Sequence, residues 1–185
     1  DIIISVDTFR STIAKRSIDA GAAIINDISG GKMDVNMFVT IAQLQVPYIM
    51  MHMLGTPQNM QQDPKYTDVT KEVISFFADQ IFKLHQLQVN DIILDVGFGF
   101  GKTITHNYEL LNNLSFFKNL DAPILVGISR KSMLYKPLDI SPQKALNATT
   151  SANTIALLNG ASILRVHDVK EAMEAIKIVK QLSNS

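Results

Sequence analysis

Short apolar segments alternate six times with longer segments of helical pattern, and this alternation limits the folds that the chain can adopt. The apolar segments are nearly unbroken, whereas a strand with one solvated face would alternate apolar and polar residues. We therefore predict an α/β fold, with strands buried on both faces of a parallel sheet and helices between them. The candidate strands are residues 2–6, 23–26, 48–52, 91–95, 124–128 and 162–166.

Capping residues predict where several helices begin. An N-cap side chain accepts hydrogen bonds from the free N–H groups of the first helical turn, and proline is favoured directly after it. The candidate caps are Asp34, Asp68, Ser141 before Pro142, and Asp168, which has Glu171 at the spacing of a capping box. The helix that follows Ser141 is predicted to end at Gly160.

Repeated strand–helix units form either an open, doubly wound sheet or a closed (β/α)8 barrel. A barrel takes about 250 residues for eight units, so six units would take roughly 186. The chain has 185 residues, but six strands could also make a complete open sheet, so length does not decide between the two. No linker, low-complexity tract or change of composition divides the chain, and we predict a single domain over residues 1–185.

The composition argues against several classes of function. Seventeen basic and seventeen acidic residues give a net charge of zero. We therefore expect neither a nucleic-acid partner nor a membrane-surface partner, both of which select excess positive charge. No apolar run approaches the roughly 18 residues that a membrane helix needs. The chain has no cysteine, which excludes disulfide scaffolds, zinc–thiolate sites and thiol nucleophiles.

Polar residues follow every predicted strand at its carboxyl end, where the active sites of parallel α/β folds lie. They are Asp7-Thr8, Asn26-Asp27, His52, Asp95, Ser129-Arg130-Lys131, and Arg165 with His167. Two residues apart on an extended strand, Arg165 and His167 share a face and would suit an anion such as phosphate.

Some of these residues have a simpler structural explanation. Helix capping is the stronger interpretation for Thr8, Asp27 and Asp168. His52 is either a ligand or a hydrogen-bonded histidine of the core. Capping does not explain three residues at or just beyond buried strand ends, which are Asp95, Lys131 and Arg165.

The segment after the fourth predicted strand reads Gly97-Phe98-Gly99-Phe100-Gly101-Lys102-Thr103. It is not a Walker phosphate loop, because Val96 stands where the first glycine belongs. It is not a dinucleotide fingerprint either, because Lys102 stands where the third glycine belongs. Taken from Asp95 to Lys102, the segment instead closely resembles the Asp-Pro-Gly-Phe-Gly-Phe-Gly-Lys signature of the dihydropteroate synthase family.

The resemblance to this family continues along the chain in the right order. Residues 4–8, 24–27, 129–132 and 165–169 are similar to the motifs of its third, fourth, seventh and eighth strands. Residues 51–57 with Met60, Gln61, Pro64 and Tyr66 look like its fifth strand and the loop that follows. The family is a (β/α)8 TIM barrel, so the resemblance implies that the chain covers about six of eight units. We expect the first two units to belong to a longer chain.

The resemblance implies a transferase of folate biosynthesis. Such an enzyme condenses 7,8-dihydropterin-6-ylmethyl diphosphate with 4-aminobenzoate to dihydropteroate and diphosphate, with the help of Mg²⁺. The family also implies a cytoplasmic homodimer that sulfonamides inhibit. No metal ligand is expected in this chain, because the asparagine that binds magnesium in the family lies in the first two units.

Residue roles are likewise implied by the resemblance. The pterin would be bound by Asp7, Asn26, Met51, Asp95, Lys131 and Arg165, the diphosphate by Arg165 and His167, and the aminobenzoate by Phe100 and Ser132. The catalytic candidates are Asp95, Lys131, Arg165 and His167. The chemistry agrees for Asp95, because a carboxylate accepts the 2-amino and ring N–H donors of a pterin.

One departure and two alternatives remain at this point. Val96 replaces the family's usual proline after Asp95, which would loosen the turn without moving the carboxylate. A class I aldolase on a similar barrel would use Lys131 as a Schiff-base nucleophile, but it would leave Arg130 and the glycine segment without a role. A non-catalytic barrel that binds methyltetrahydrofolate would share the pterin-facing Asp and Asn, but it would not need the Ser-Arg-Lys-Ser and Arg-Val-His segments.

Overall fold

The computed structural model describes residues 2–60 and 62–183, so Asp1 and Gln61 lie outside the described residues. In that part of the chain, strands and helices alternate from the first element to the last. The strands are β1 (Ser5–Asp7), β2 (Ile24–Asp27), β3 (Tyr48–Met51), β4 (Ile92–Asp95), β5 (Ile124–Val126) and β6 (Ile163–Leu164). The α-helices are α1 (Ser11–Asp19), α2 (Met37–Leu44), α3 (Val69–Gln86), α4 (Ile104–Asn112), α5 (Ser132–Tyr135), α6 (Leu146–Leu158) and α7 (Val169–Ser183). Two 3₁₀-helices, Leu114–Leu120 and Pro142–Lys144, precede β5 and α6.

The strand order decides between the two architectures that length left open. All neighbouring strands are parallel, and the sheet runs β1-β2-β3-β4-β5-β6 in the order of the sequence. A doubly wound sheet reverses its order at a switch point, whereas a barrel wall does not. A salt bridge from Arg165, just after β6, to Asp7 in β1 shows that the first and last strands curl towards each other. The structure confirms the predicted α/β class, with six successive units of a TIM barrel.

The core lies between the sheet and the surrounding helices. Strand β3 is buried at every position, as predicted for a strand covered on both faces. Tyr48 of this strand and Phe77 of α3 have no exposed surface, and the ring of Phe77 packs edge-on against Phe117 with centroids 6.2 Å apart. Among the described helices, none is long and apolar enough to cross a membrane.

The two outer strands differ from the prediction. Residues 2–4 lie outside β1, and the side chains of Ile2 and Ile3 are 91% and 74% exposed. Strand β6 has only two residues, of which Ile163 is 37% exposed. Within the described ranges each outer strand pairs on one side only, so its other edge is not covered. Apolar sequence alone therefore overstated the burial of the two outer strands.

The predicted caps have mixed outcomes. The prediction for Asp68 is confirmed, because its carboxylate accepts the N–H of Lys71 in the first turn of α3. The prediction for Asp34 is wrong, since α2 begins only at Met37 and the Asp34 carboxylate accepts the N–H of Ser11 at 2.7 Å. Ser141 precedes a 3₁₀-helix instead of α6.

The capping interpretations of Thr8 and Asp27 are wrong, whereas Asp168 directly precedes α7 and accepts the N–H of Ala172 with its backbone carbonyl but not with its carboxylate. Thr8 accepts the N–H of Arg10 within the loop before α1. The carboxylate of Asp27 accepts hydrogen bonds from Ser29, Gly31 and the Tyr48 hydroxyl. Both carboxylate oxygens of Asp168 bond the guanidinium of Arg130. Each of these three side chains thus stabilises a loop at the carboxyl ends of the strands.

Candidate active site

A cavity of about 510 Å³ opens at the carboxyl ends of the strands. Every βα loop that carries a predicted site residue contributes to this cavity. This is expected when parallel strands follow one another in sequence order around a barrel wall. It is lined by Asp7, Ile28, Met51, Asp95, Phe100, Gly127, Ser129, Lys131, Arg165, Val166 and His167. The structure thus gathers Asp7, Met51, Asp95, Phe100, Lys131, Arg165 and His167 around one space, as the sequence predicted.

Asp95 lies at the floor of this cavity, at the carboxyl end of β4. The residue is only 5% exposed, and its Oδ1 accepts the N–H of Gly97 at 2.8 Å. Burial raises the pKa of Asp95, while the positive charges of Lys131, Lys102 and Arg165 oppose that rise. Asp95 is thus a buried acceptor of donor groups, held among cations.

Asp7, Asn26 and Arg165 form a chain of polar contacts along one wall. The side-chain amide of Asn26 donates to Asp7 Oδ1 at 2.7 Å, and the guanidinium of Arg165 donates to Asp7 Oδ2. The Asn26 side-chain oxygen is buried and has no hydrogen-bond partner among the described residues. An unpaired buried acceptor is costly, but Asn26 does not line the cavity, and its observed role is to hold Asp7 through the side-chain amide.

Lys131 reaches the cavity from the segment after β5. Its ammonium donates to the backbone carbonyl of Phe98 and lies 4.8 Å from the centroid of the Phe100 ring. Burial lowers the pKa of Lys131 to about 8, with Asp95 raising it and Arg165 lowering it further. A cation on an aromatic ring beside a buried carboxylate is suited to binding a flat, polar ring.

Ser129 and His167 form a further part of the cavity lining. The Ser129 hydroxyl and His167 Nδ1 are 2.9 Å apart, and the backbone N–H of His167 donates to the same hydroxyl. Both Arg165 and His167 line the cavity, but β6 ends at Leu164, so they lie beyond the strand on which the sequence placed them. Ser132 is the exception among the predicted site residues on this side: it is the first residue of α5 and does not line the cavity.

Comparisons with known proteins show the family to which the chain belongs. Residues 1–167 match the model of a family described as pterin-binding enzymes. The chain belongs to the pterin-binding enzyme family. It is 41% identical over 182 residues to the dihydropteroate synthase of Escherichia coli (strain K12) and 40% identical over 185 residues to that of Synechocystis sp. (strain ATCC 27184 / PCC 6803 / Kazusa). These alignments cover 97% and 98% of the chain but 64% of each relative, so the chain spans about two thirds of their length.

Solved structures of pterin-binding enzymes have a fold similar to that of this chain. A dihydropteroate synthase of Yersinia pestis, solved with a sulfonamide drug complex, matches with a TM-score of 0.95 and 39% identity. A dihydropteroate synthase of Xanthomonas albilineans, solved with 7,8-dihydropteroate, matches with a TM-score of 0.91 and 30% identity. Each match covers 100% of this chain and 68% of the other. The structural likeness supports the assignment of six barrel units.

In this member of the pterin-binding enzyme family His52 is a hydrogen-bonded core residue, one of the two interpretations that the sequence left open. The residue is 4% exposed, and its Nδ1 lies 3.0 Å from the ammonium of Lys102. Burial and the charge of Lys102 lower the pKa of His52 to about 2, so the ring stays neutral. No group of three or more His, Cys, Asp or Glu side chains that could hold a metal occurs among the described residues.

Sequence reasoning gave no role to Arg130, which the structure places at a junction of loops. Its guanidinium makes a two-pronged contact with Asp168 at 2.7 and 2.9 Å and also donates to the carbonyl of Gln143. Arg130 has a left-handed φ of 55°, and its backbone N–H donates to Thr149. It ties the segment carrying Lys131 to the segment carrying His167. The signal in the sequence was the charged side chain of Arg130 in the Ser-Arg-Lys-Ser segment, to which no role had been given.

The pKa of Lys131 provides a test of the site that needs no ligand. Only a neutral amine reacts with acetic anhydride, so labelling of Lys131 should rise with pH and reach its midpoint near pH 8. Asp95→Asn should move that midpoint lower, because the carboxylate is the contact that keeps Lys131 protonated. Peptide mass spectrometry after labelling at graded pH measures both values. A midpoint near the ordinary lysine value of about 10.4 would show that Lys131 is hydrated and outside the site.

Proposed function

We propose that this chain forms the pterin-binding part of a dihydropteroate synthase. The reaction would condense 7,8-dihydropterin-6-ylmethyl diphosphate with 4-aminobenzoate, giving dihydropteroate and diphosphate. The observation that carries the proposal is the cavity that buried Asp95 and Lys131 line together, beside Asp7, which the side-chain amide of Asn26 holds. Relatives that share 41% and 40% of its residues are dihydropteroate synthases, which supports the same assignment.

Recognition of the pterin would rest on complementary donors and acceptors. Asp95 would accept the 2-amino and ring N–H groups, and the Asn26 oxygen, which has no partner in the described structure, would accept a further donor. Lys131 would donate to an acceptor of the ring, and Met51 would pack on its face. Because Asp95 is buried, hydrogen bonds to it would be stronger than they would be in solution.

The reaction itself is a displacement at the methylene carbon. The bond from that carbon to the diphosphate oxygen breaks, the diphosphate leaves with the electron pair, and the arylamine nitrogen forms the new bond and loses a proton. Arg165 and His167 stand at the rim, where their donors would hold the negative charge that develops on the leaving group. Phe100 would contact the aminobenzoate ring, and Ser132 would bind it only if that ligand reaches the start of α5.

Magnesium is the cofactor that the family resemblance implies. The described residues do not by themselves form a site for it, since they contain no cluster of three potential ligands. Asp7, a carboxylate at the mouth, is already paired with Arg165 and Asn26. We propose that the ion is held mainly by the diphosphate, with protein ligands from outside these ranges.

Other features follow from the same proposal. A structure of the Yersinia pestis relative contains a sulfonamide drug, and one of the Xanthomonas albilineans relative contains 4-aminobenzoic acid. We propose that both compounds bind this protein beside Phe100. Location in the cytoplasm and assembly as a homodimer are proposed from the family resemblance, and light scattering of the purified protein would measure the second.

The decisive experiment is a diphosphate-release assay with the intact protein. Supplied with pterin diphosphate and 4-aminobenzoate, it should release diphosphate and form dihydropteroate in equal amounts, with mass spectrometry identifying the product. Omission of 4-aminobenzoate is the control and should abolish product. Pterin binding without release of diphosphate would instead favour the non-catalytic pterin-binding barrel. Borohydride trapping of a carbonyl substrate on Lys131 would favour the aldolase.

Asp95→Asn should weaken pterin binding. An amide cannot accept from two ring donors as a carboxylate does, and loss of a charge-assisted hydrogen bond costs about 1.5–3 kcal/mol, or roughly 10- to 150-fold in affinity. Calorimetry with a pterin analogue measures the change. The matched control is Asp91→Asn, which removes an exposed carboxylate just before the opposite end of β4 and should leave affinity unchanged. Equal affinity in the Asp95 variant would refute the role of Asp95.

Arg165→Ala and His167→Ala should each weaken diphosphate binding more than aminobenzoate binding. Both side chains line the rim, and His167→Ala leaves the contact between Arg165 and Asp7 in place. Isothermal titration with each ligand separately gives the two affinities, and Lys170→Ala, on the exposed first turn of α7, is the control. Equal losses for both ligands would indicate a general defect of folding.

A further inference from the structure

Lys102, the last residue of the glycine segment, is a buried lysine that the proposed reaction does not use. It is 4% exposed and does not line the cavity. Its ammonium lies 3.0 Å from the carbonyl oxygens of both Gly97 and Phe100. On the other side it lies 3.0 Å from His52 Nδ1 and 3.4 Å from the His52 carbonyl oxygen. An ammonium has three N–H donors, so these acceptors use all of them.

A buried ammonium is costly unless every donor is satisfied, which explains why the segment wraps around it. Two of its acceptors are backbone carbonyls of the segment at residues 97–101, and the neutral His52 ring supplies a third. Lys102 therefore holds together the two ends of this short loop. Burial lowers the pKa of Lys102 to about 7, and the negative charge of nearby Asp95 opposes that fall.

The segment needs such support because its own backbone is not regular. Gly97, Gly99 and Gly101 have left-handed φ angles of 71°, 81° and 62°. Its polar groups bond to side chains from elsewhere: the N–H of Gly97 to Asp95, and the carbonyl of Gly101 to the Tyr66 hydroxyl. No strand or helix fixes its shape; one backbone hydrogen bond, from Phe100 N–H to the Gly97 carbonyl, closes a turn within it, and side-chain contacts supply the rest.

The same segment carries the groups that hold Lys131. The ammonium of Lys131 donates to the carbonyl of Phe98 and lies over the ring of Phe100. A Cβ at Gly99 would be only 3.3 Å from the Lys131 side chain, which shows how closely the two pack. A change in the path of residues 97–101 would therefore move both Lys131 and Phe100.

We propose that Lys102 is a positioning residue, whose buried ammonium holds residues 97–101 in the shape that places Lys131 and Phe100 in the cavity. This inference rests on the proposed function only for its kinetic consequence. The contacts themselves distinguish Lys102 from a phosphate-binding lysine, because its ammonium faces backbone carbonyls behind the cavity wall. Lys102 acts through Lys131 and Phe100 and does not touch substrate.

Lys102→Met tests the proposal, because it removes the ammonium and keeps an unbranched side chain. The first readout is labelling of Lys131 with acetic anhydride, which does not require activity. Release of the segment should hydrate Lys131 and raise its midpoint from about 8 by about one pH unit or more towards the ordinary lysine value. Lys15→Met is the control, since it removes an exposed lysine of α1 that pairs with Asp19, away from the segment.

The second readout is steady-state kinetics in the intact protein. KM should rise at least about tenfold for 4-aminobenzoate, which Phe100 would contact, and should rise also for the pterin diphosphate, to which Lys131 would donate. If the wild-type protein shows no activity, the proposed function fails, and the labelling result still decides the role of Lys102.

Two results would overturn the proposal. One is a folded Lys102→Met variant in which the Lys131 midpoint is unchanged. The other is a variant in which neither KM value rises while the free energy of unfolding falls, which would make Lys102 a general stabilising residue. If the Met variant does not fold, Lys102→Gln, which keeps two N–H donors without the charge, is judged by the same measurements and the same outcomes.

Discussion

The buried charge of Asp95 is the constraint on which the rest of the site depends. A carboxylate that is 5% exposed at the end of a central strand is tolerated only among compensating charges and donors. The compensation comes from Lys131, Lys102 and Arg165, which stand on three different segments. These cations of three loops gather around one buried carboxyl group, and two of them, Lys131 and Arg165, line the cavity with it. A ligand with two neighbouring N–H donors suits this site, because it can donate hydrogen bonds to Asp95 without adding a charge.

The curl of the sheet depends on a second set of contacts, between its first and last strands. Asp7 of β1 accepts from Arg165 after β6 and from Asn26 of β2. These contacts span the mouth, so the polar groups that would bind the pterin also connect the two outer strands. Arg165 is 55% exposed at its side chain, and its remaining guanidinium donors are available to an anion. A substitution at Asp7 would therefore affect the shape of the mouth as well as its chemistry.

The sequence predicted the parallel sheet and the residues at the strand ends, but it could not predict how those residues are bonded. Unbroken apolar runs correctly placed β3 and β4, because both are buried strands in the middle of the sheet. The same pattern failed at residues 2–4, since burial there depends on a neighbouring strand that no local pattern reports. Asp168 has the sequence signature of a cap, yet Arg130, distant in sequence, takes both its oxygens. Long-range partners override local preference where loops from different strands meet.

The one departure from the family's signature shows which residues determine the turn after β4. The family has proline where this chain has Val96, and the sequence alone suggests a looser turn. In the structure Val96 has no exposed surface and packs in the core. The turn is made by Gly97, whose left-handed φ of 71° and close approach to the carbonyl oxygen of His52 leave no room for a Cβ. Its N–H bonds the Asp95 carboxylate. Since the glycine and the carboxylate fix the turn between them, position 96 needs only to be apolar and small enough to be buried.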